Sequence, residues 1–83
     1  MKEYFISPDC DEKMFQKVSM LINSAEGIEK KELLIDADDT MIQCYKYKGR
    51  ELDIYNDTEI GGIYIKSEDD ISKLLAKCGI DFY

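Results

Sequence analysis

Eighteen acidic side chains stand against eleven basic ones in 83 residues that contain no histidine, for a net charge of −7. That balance repels nucleic-acid phosphates and anionic membranes and favours basic protein surfaces, while the missing histidine removes the commonest general base and metal ligand. One domain, 1–83, burying roughly 60–65% of its unfolded surface is expected, and a hydrophobic content of 45% with six Tyr and three Phe excludes a disordered acidic tail.

In chain order, residues 2–6 read as a strand, with Tyr4 and Ile6 on one face and Glu3 and Phe5 on the other. Ser7-Pro8-Asp9 announces a helix, and Asp9 with Glu12 has capping-box spacing. Met14, Phe15, Val18, Leu21, Ile22 and Ala25 form its apolar stripe, and Gly27 is its expected stop. Leu33, Ile35 and Ala37 alternate with Glu32, Leu34 and Asp36, and Asp38-Asp39 reads as a turn. Met41, Gln43, Tyr45 and Tyr47 then alternate with Ile42, Cys44, Lys46 and Lys48. Lys48-Gly49-Arg50 supplies a hairpin turn, after which Leu52 and Ile54 oppose Asp53 and Tyr55. Asn56-Asp57 turns the chain into a strand over 60–66, whose Gly61-Gly62 pair suggests a bulge.

A last helix is expected from a Ser67/Asp70 capping box, with Ile71, Leu74, Leu75 and Cys78 as its stripe and Gly79 as its stop. The tail Ile80-Asp81-Phe82-Tyr83 is too apolar to be idle, so it packs back or adds to an edge. The expected fold is α+β: a small antiparallel sheet of three to five strands in β-α-β-β-β(-β)-α order, with two helices on one face. Phe5, Leu34, Ile42 and Tyr55 leave the second face half apolar, which suits docking, including onto a second copy.

The three cysteines are an odd set for a secreted chain. No apolar run approaches the ~18 residues of a membrane span, and the apolar start is too short for a signal peptide. A cytoplasmic location is therefore expected, with Cys44 and Cys78 as core thiols.

The stretch Leu33-Leu34-Ile35-Asp36-Ala37-Asp38-Asp39-Thr40-Met41-Ile42 resembles the first motif of the haloacid-dehalogenase-like phosphotransferases. The resemblance implies a nucleophile at Asp36, an acid–base partner at Asp38 and a parallel sheet. It stops at this segment: a hairpin follows, and Lys66 and Asp69-Asp70 are the nominal matches to the later motifs. A calcium loop over the same residues lacks its Gly at Met41 and its Glu at Tyr47. Three cysteines without CxxC spacing or histidine do not make a zinc site, so no cofactor and no metal are expected.

The acids cluster at Asp9/Asp11/Glu12, Asp36/Asp38/Asp39, Asp53/Asp57/Glu59 and Glu68/Asp69/Asp70. Helix starts and turns account for such residues locally. The same acids suit a surface that imitates phosphates and enters a partner's basic cleft, with Tyr side chains as rigid contacts. Tyr45, Tyr47, Tyr55 and Tyr64 are expected near one another on the sheet.

The functional expectation is a non-enzymatic inhibitor that occludes a basic or nucleic-acid-handling surface of a partner protein. In size and charge the chain is similar to bacterial immunity proteins and phage-encoded anti-defence inhibitors. The candidate partner-binding residues are Asp36, Asp38, Asp39, Tyr45, Tyr47, Asp53, Tyr55, Asp57 and Glu59. The alternatives are a homo-oligomeric structural subunit such as a homodimer, a small-ligand-sequestering protein, and phosphotransfer at Asp36/Asp38. No direct contact with nucleic acid or membrane is expected.

Overall fold

The computed structural model describes residues 1–83. The elements are β1 (Lys2–Ser7), α1 (Glu12–Asn23), β2 (Ile28–Ile35), β3 (Met41–Tyr47), β4 (Arg50–Asp57), β5 (Gly62–Ser67) and α2 (Ser72–Cys78). The five strands form one antiparallel sheet in the order β1-β5-β4-β3-β2. This is the expected α+β fold with both helices on one face. No helix is long and apolar enough to cross a membrane.

Strand alternation sorts the sheet into two faces. Tyr45, Leu52, Ile54, Ile63, Ile65 and Tyr4 meet Phe15, Val18 and Ile22 of α1 and Ile71, Leu74 and Leu75 beside α2 in one core. Leu52, Ile54, Ile63, Ile65, Ile22 and Leu75 are completely buried. Each such side chain contributes about 1.5–3 kcal/mol relative to exposure. β2 through β5 run as a meander because their connections are short. The β3–β4 turn needs positive φ at Lys48 (52°) and Gly49 (81°), the geometry whose twist suits a two-residue hairpin.

Both helix caps differ from the expected ones. Asp11, not Asp9, caps α1: its carboxylate accepts from the N–H groups of Lys13 and Met14. The Asp9 N–H instead donates to the Ser7 hydroxyl. Gly27 stands beyond the end of α1 at Asn23 and leads directly into β2, which therefore starts earlier than its alternating residues suggested. In α2 the Ser67 hydroxyl accepts from the Asp69 N–H, forming a bend rather than a helical turn. Asp70 then binds both the N–H and the hydroxyl of Ser72, so the helix begins there. Ile60 falls in the β4–β5 turn and is exposed.

β1 joins the sheet beside β5, and a close approach seats it. A Cβ on Gly62 would lie 2.9 Å from the backbone oxygen of Ser7, so only glycine fits. Of the two outcomes expected of the tail, it takes the first: it packs back and adds no strand to the sheet. Ile80 is buried in the core, and the Phe82 ring meets Tyr4 edge-on at 5.1 Å. The Tyr83 N–H donates to the Phe5 carbonyl on the outer side of β1.

Candidate functional site

Three loops meet at one end of the sheet. The β1–α1 loop carries Asp9 and Asp11, the β2–β3 loop carries Asp36, Asp38 and Asp39, and the β4–β5 turn begins at Asp57 and carries Glu59. Polar side chains lock them together. The Thr40 and Thr58 hydroxyls lie 3.0 Å apart, and the Thr58 hydroxyl donates to the Asp38 carbonyl at 2.8 Å. Cys10 Sγ donates to the Asp57 carbonyl at 2.8 Å, and the Asp11 N–H donates to Asn56 Oδ1 at 3.2 Å. Segments far apart in sequence thus form a single rim.

The acids of this rim divide by what they do for the fold. Asp38 accepts from the Thr40 N–H, and that bond holds its carboxyl below the ordinary range. Asp57 accepts from the Tyr64 hydroxyl at 2.8 Å and from the N–H groups of Glu59 and Ile60. The Tyr64 bond is the main reason its carboxyl is also lowered. Asp11 caps α1. By contrast, the side chains of Asp9, Glu12, Asp36, Asp39 and Glu59 make no hydrogen bond within the chain, and all are exposed.

None of the rim acids forms an ion pair. The four ion pairs of the molecule are Lys31–Glu29, Arg50–Glu68, Arg50–Asp69 and Lys66–Glu3, all elsewhere. The fourth acidic cluster sits at the opposite end, where Arg50 lies 3.5 Å from both Glu68 and Asp69. Negative charge is therefore unpaired at one end and partly offset by Arg50 at the other. The rim acids do not converge on a common point: no group of three or more possible metal ligands comes together.

The open face of the sheet adjoins the rim. Cross-strand register places Leu34, Ile42, Tyr55, Tyr64 and Phe5 in one row across all five strands. Tyr55 and Tyr64 stack with centroids 4.7 Å apart and planes within 9°. A parallel row holds Cys44, Asp53, Lys66 and Glu3, and Lys66 reaches over the stacked rings at 5.4 and 5.8 Å. Burial among these side chains raises the carboxyl of Asp53. Burial, then Asp53, pushes the Cys44 thiol up to about 11, so it is a poor nucleophile.

The nine candidate residues thus fall into three groups. Asp36, Asp38, Asp39, Asp57 and Glu59 share the rim. Asp53 and Tyr55 stand on the open face. Tyr45 is a correction; it and Tyr47 both face the helices, away from Tyr55. Tyr45 is 2% exposed, with its hydroxyl donating to the Ser19 carbonyl at 2.9 Å, so it cannot meet a partner. Tyr47 packs half-buried against the core. The four tyrosines are split between faces because Tyr45 pairs with Leu52 in one row and Tyr55 with Tyr64 in another. Cys44 is a second correction, since it lies on the open face and not in the core, whereas Cys78 packs against the core as expected.

The rim also includes Asp9, Asp11 and Glu12, which were legible as a cluster but not as neighbours of the other loops. The parallel sheet implied by the phosphotransferase-like segment is absent. Asp36 follows an antiparallel edge strand, and its N–H closes the hairpin onto the Thr40 carbonyl. Comparison with known protein families, with curated proteins and with solved structures finds no match to this chain.

Proposed function

We propose that the protein is a cytoplasmic, non-enzymatic binding protein whose acidic rim enters the basic, phosphate-binding surface of a partner protein and blocks it. The observation that carries this reading is the uncompensated charge of Asp36, Asp39 and Glu59. These side chains make no hydrogen bond, cap no helix and pair with no cation; Asp39 suits the left-handed backbone of its turn (φ 67°), but Asn would serve there equally, and nothing local calls for the charge at any of the three. Their loops are nonetheless tied rigidly, which limits the entropy lost on binding. Opposite charge on a partner would speed encounter and set orientation. Tyr55, half-buried and braced by the buried Tyr64 ring stacked on it, supplies rigid aromatic area on the adjoining face.

The test neutralises only the idle acids. A triple variant, Asp36→Asn/Asp39→Asn/Glu59→Gln, is expected to keep its circular dichroism and its unfolding midpoint. Immobilised wild-type protein should capture basic partner proteins from lysate, less so as salt rises, and the triple variant should lose them. Equal capture by both proteins, or capture indifferent to salt, would refute the reading.

A further inference from the structure

The free edge of the sheet is self-complementary, and we propose that β2 pairs antiparallel with β2 of a second copy, about a two-fold axis perpendicular to the sheet, to form one continuous sheet. This inference does not rest on the partner-occluding role. It begins with the direction of backbone groups. The Gly27 carbonyl accepts from the Lys48 N–H, and the Asp36 N–H donates to the Thr40 carbonyl, so both ends of β2 are hydrogen-bonded toward β3 at these positions. Antiparallel ladders alternate. Ile28 at one end and Ile35 at the other, each one residue inside those pairs, therefore turn their N–H and C=O outward. Lys30 and Leu33 do the same, because the bulge between them inserts one residue and restores the phase.

The bulge is what makes the edge match itself. Gln43 Nε2 lies 3.2 and 3.3 Å from the carbonyls of Lys31 and Glu32, satisfying the irregular backbone from within. On either side of it, Ile28 and Lys30 share face and outward direction with Leu33 and Ile35. In an antiparallel pair centred on the bulge, Ile28 meets the second copy's Ile35 and Lys30 meets its Leu33. Every outward N–H and C=O then finds a counterpart, and each protomer keeps its helices on the same side. An isologous contact of this kind uses β2 of both copies and so closes as a dimer, while at the far edge the Tyr83 N–H bonds the Phe5 carbonyl of β1.

Side chains select this register. At the centre Lys31 opposes the second copy's Glu32, twice by symmetry. Sliding by two residues one way opposes Glu29 with Glu32 and Lys30 with Lys31. Sliding the other way opposes Glu29 with Asp36. The ends also agree in charge. Asp36 falls beside the second copy's Gly27, over which Lys48 lies with its Cγ 3.3 Å from the Cβ position. Pairing would cover Leu33, Leu34 and Ile35, three consecutive apolar residues that are 45%, 44% and 62% exposed in the single chain. An open edge with such residues is a template for strand addition.

Sedimentation of the full chain from micromolar to near-millimolar concentration is expected to show the average mass rising toward twice that of the chain. Hydrogen exchange at high concentration should protect the amides of Ile28, Lys30, Leu33 and Ile35 selectively. Ile35→Pro removes an outward N–H that the single chain does not use, and by symmetry two bonds per dimer. It should leave the fold intact and weaken association by at least about tenfold. Lys31→Glu should also weaken it, and Lys31→Glu/Glu32→Lys should restore it. A wild-type chain that stays monomeric at every concentration would overturn the proposal, and would make the bulge and Lys30-Lys31 guards of a lone edge. A dimer indifferent to both Ile35→Pro and the charge swap, with protection elsewhere, would overturn it equally.

Discussion

The two edges of the sheet are built from similar material and end differently. β1 is a short edge strand, and the C-terminal tail lies against part of it. Phe82 covers Tyr4, Tyr83 bonds the Phe5 carbonyl, and the Tyr4 hydroxyl donates to Asp70 and accepts from the Ile71 N–H. β2 is longer, and no strand or tail segment is hydrogen-bonded to its outer edge. Ile35 is 62% exposed, whereas Ile65 in the sheet interior is 0% exposed. Residue type does not decide burial here. Position relative to neighbours does, and the C-terminal tail reaches only one edge.

The largest expected effect contrasts those two isoleucines. Ile65→Ala should cost about 2–5 kcal/mol because it leaves a cavity among packed side chains. Ile35→Ala, at concentrations where the chain is monomeric, should stay within about 0.5 kcal/mol. Urea unfolding of both variants measures the gap, and near-equal losses would mean that the β2 edge is not free in solution.

A second test attacks the seat of β1. Gly62→Ala forces a methyl group toward the Ser7 oxygen, which is backbone and cannot swing aside. A loss of about 1–3 kcal/mol is expected, with amide exchange accelerated in β1 and unchanged in β2. The tail itself contributes less. Phe82→Ala removes the edge-on contact with Tyr4 and should lower stability by about 0.5–1.5 kcal/mol. If it changes nothing, the two edges are equally open.

The smallest effect is acid dependence at the turn that leads into β5, the strand on which β1 pairs. Asp57 has a lowered carboxyl in the folded state, held mainly by the Tyr64 hydroxyl. The stability it contributes is therefore present above the unfolded value near pH 4 and is lost as pH falls through the lower folded value. Asp53 has the opposite sign: its raised carboxyl means that protonation on acidification favours the folded state. Urea midpoints followed downward from pH 7 should first hold or rise slightly and then fall. Asp57→Asn should flatten the final fall, and Asp53→Asn the earlier gain.

Much of this was visible in the residues. Alternation from Met41 to Tyr55 placed Tyr45 opposite in face to Ile42 and Cys44, and Lys48-Gly49 marked the hairpin. The helix stripe of Phe15, Val18 and Ile22 is the buried one. Caps were harder, because Asp9, Asp11 and Glu12 offer competing spacings and the choice of Asp11 involves Asn56, 45 residues away. Among the candidate site residues the acids of the turns proved to be neighbours. Tyr45 did not belong with them, since its value as an exposed aromatic depended on which face the helices would cover.

Strand order along the chain, face alternation and turn geometry follow from adjacent residues, so the amino-acid sequence determined them alone. Tertiary structure decided which edge was closed, which acids met at one rim and which were left without a cation. Those outcomes depend on contacts between segments far apart, such as Gly62 against Ser7, Thr58 against Asp38 and the tail against β1, and no local pattern encodes them.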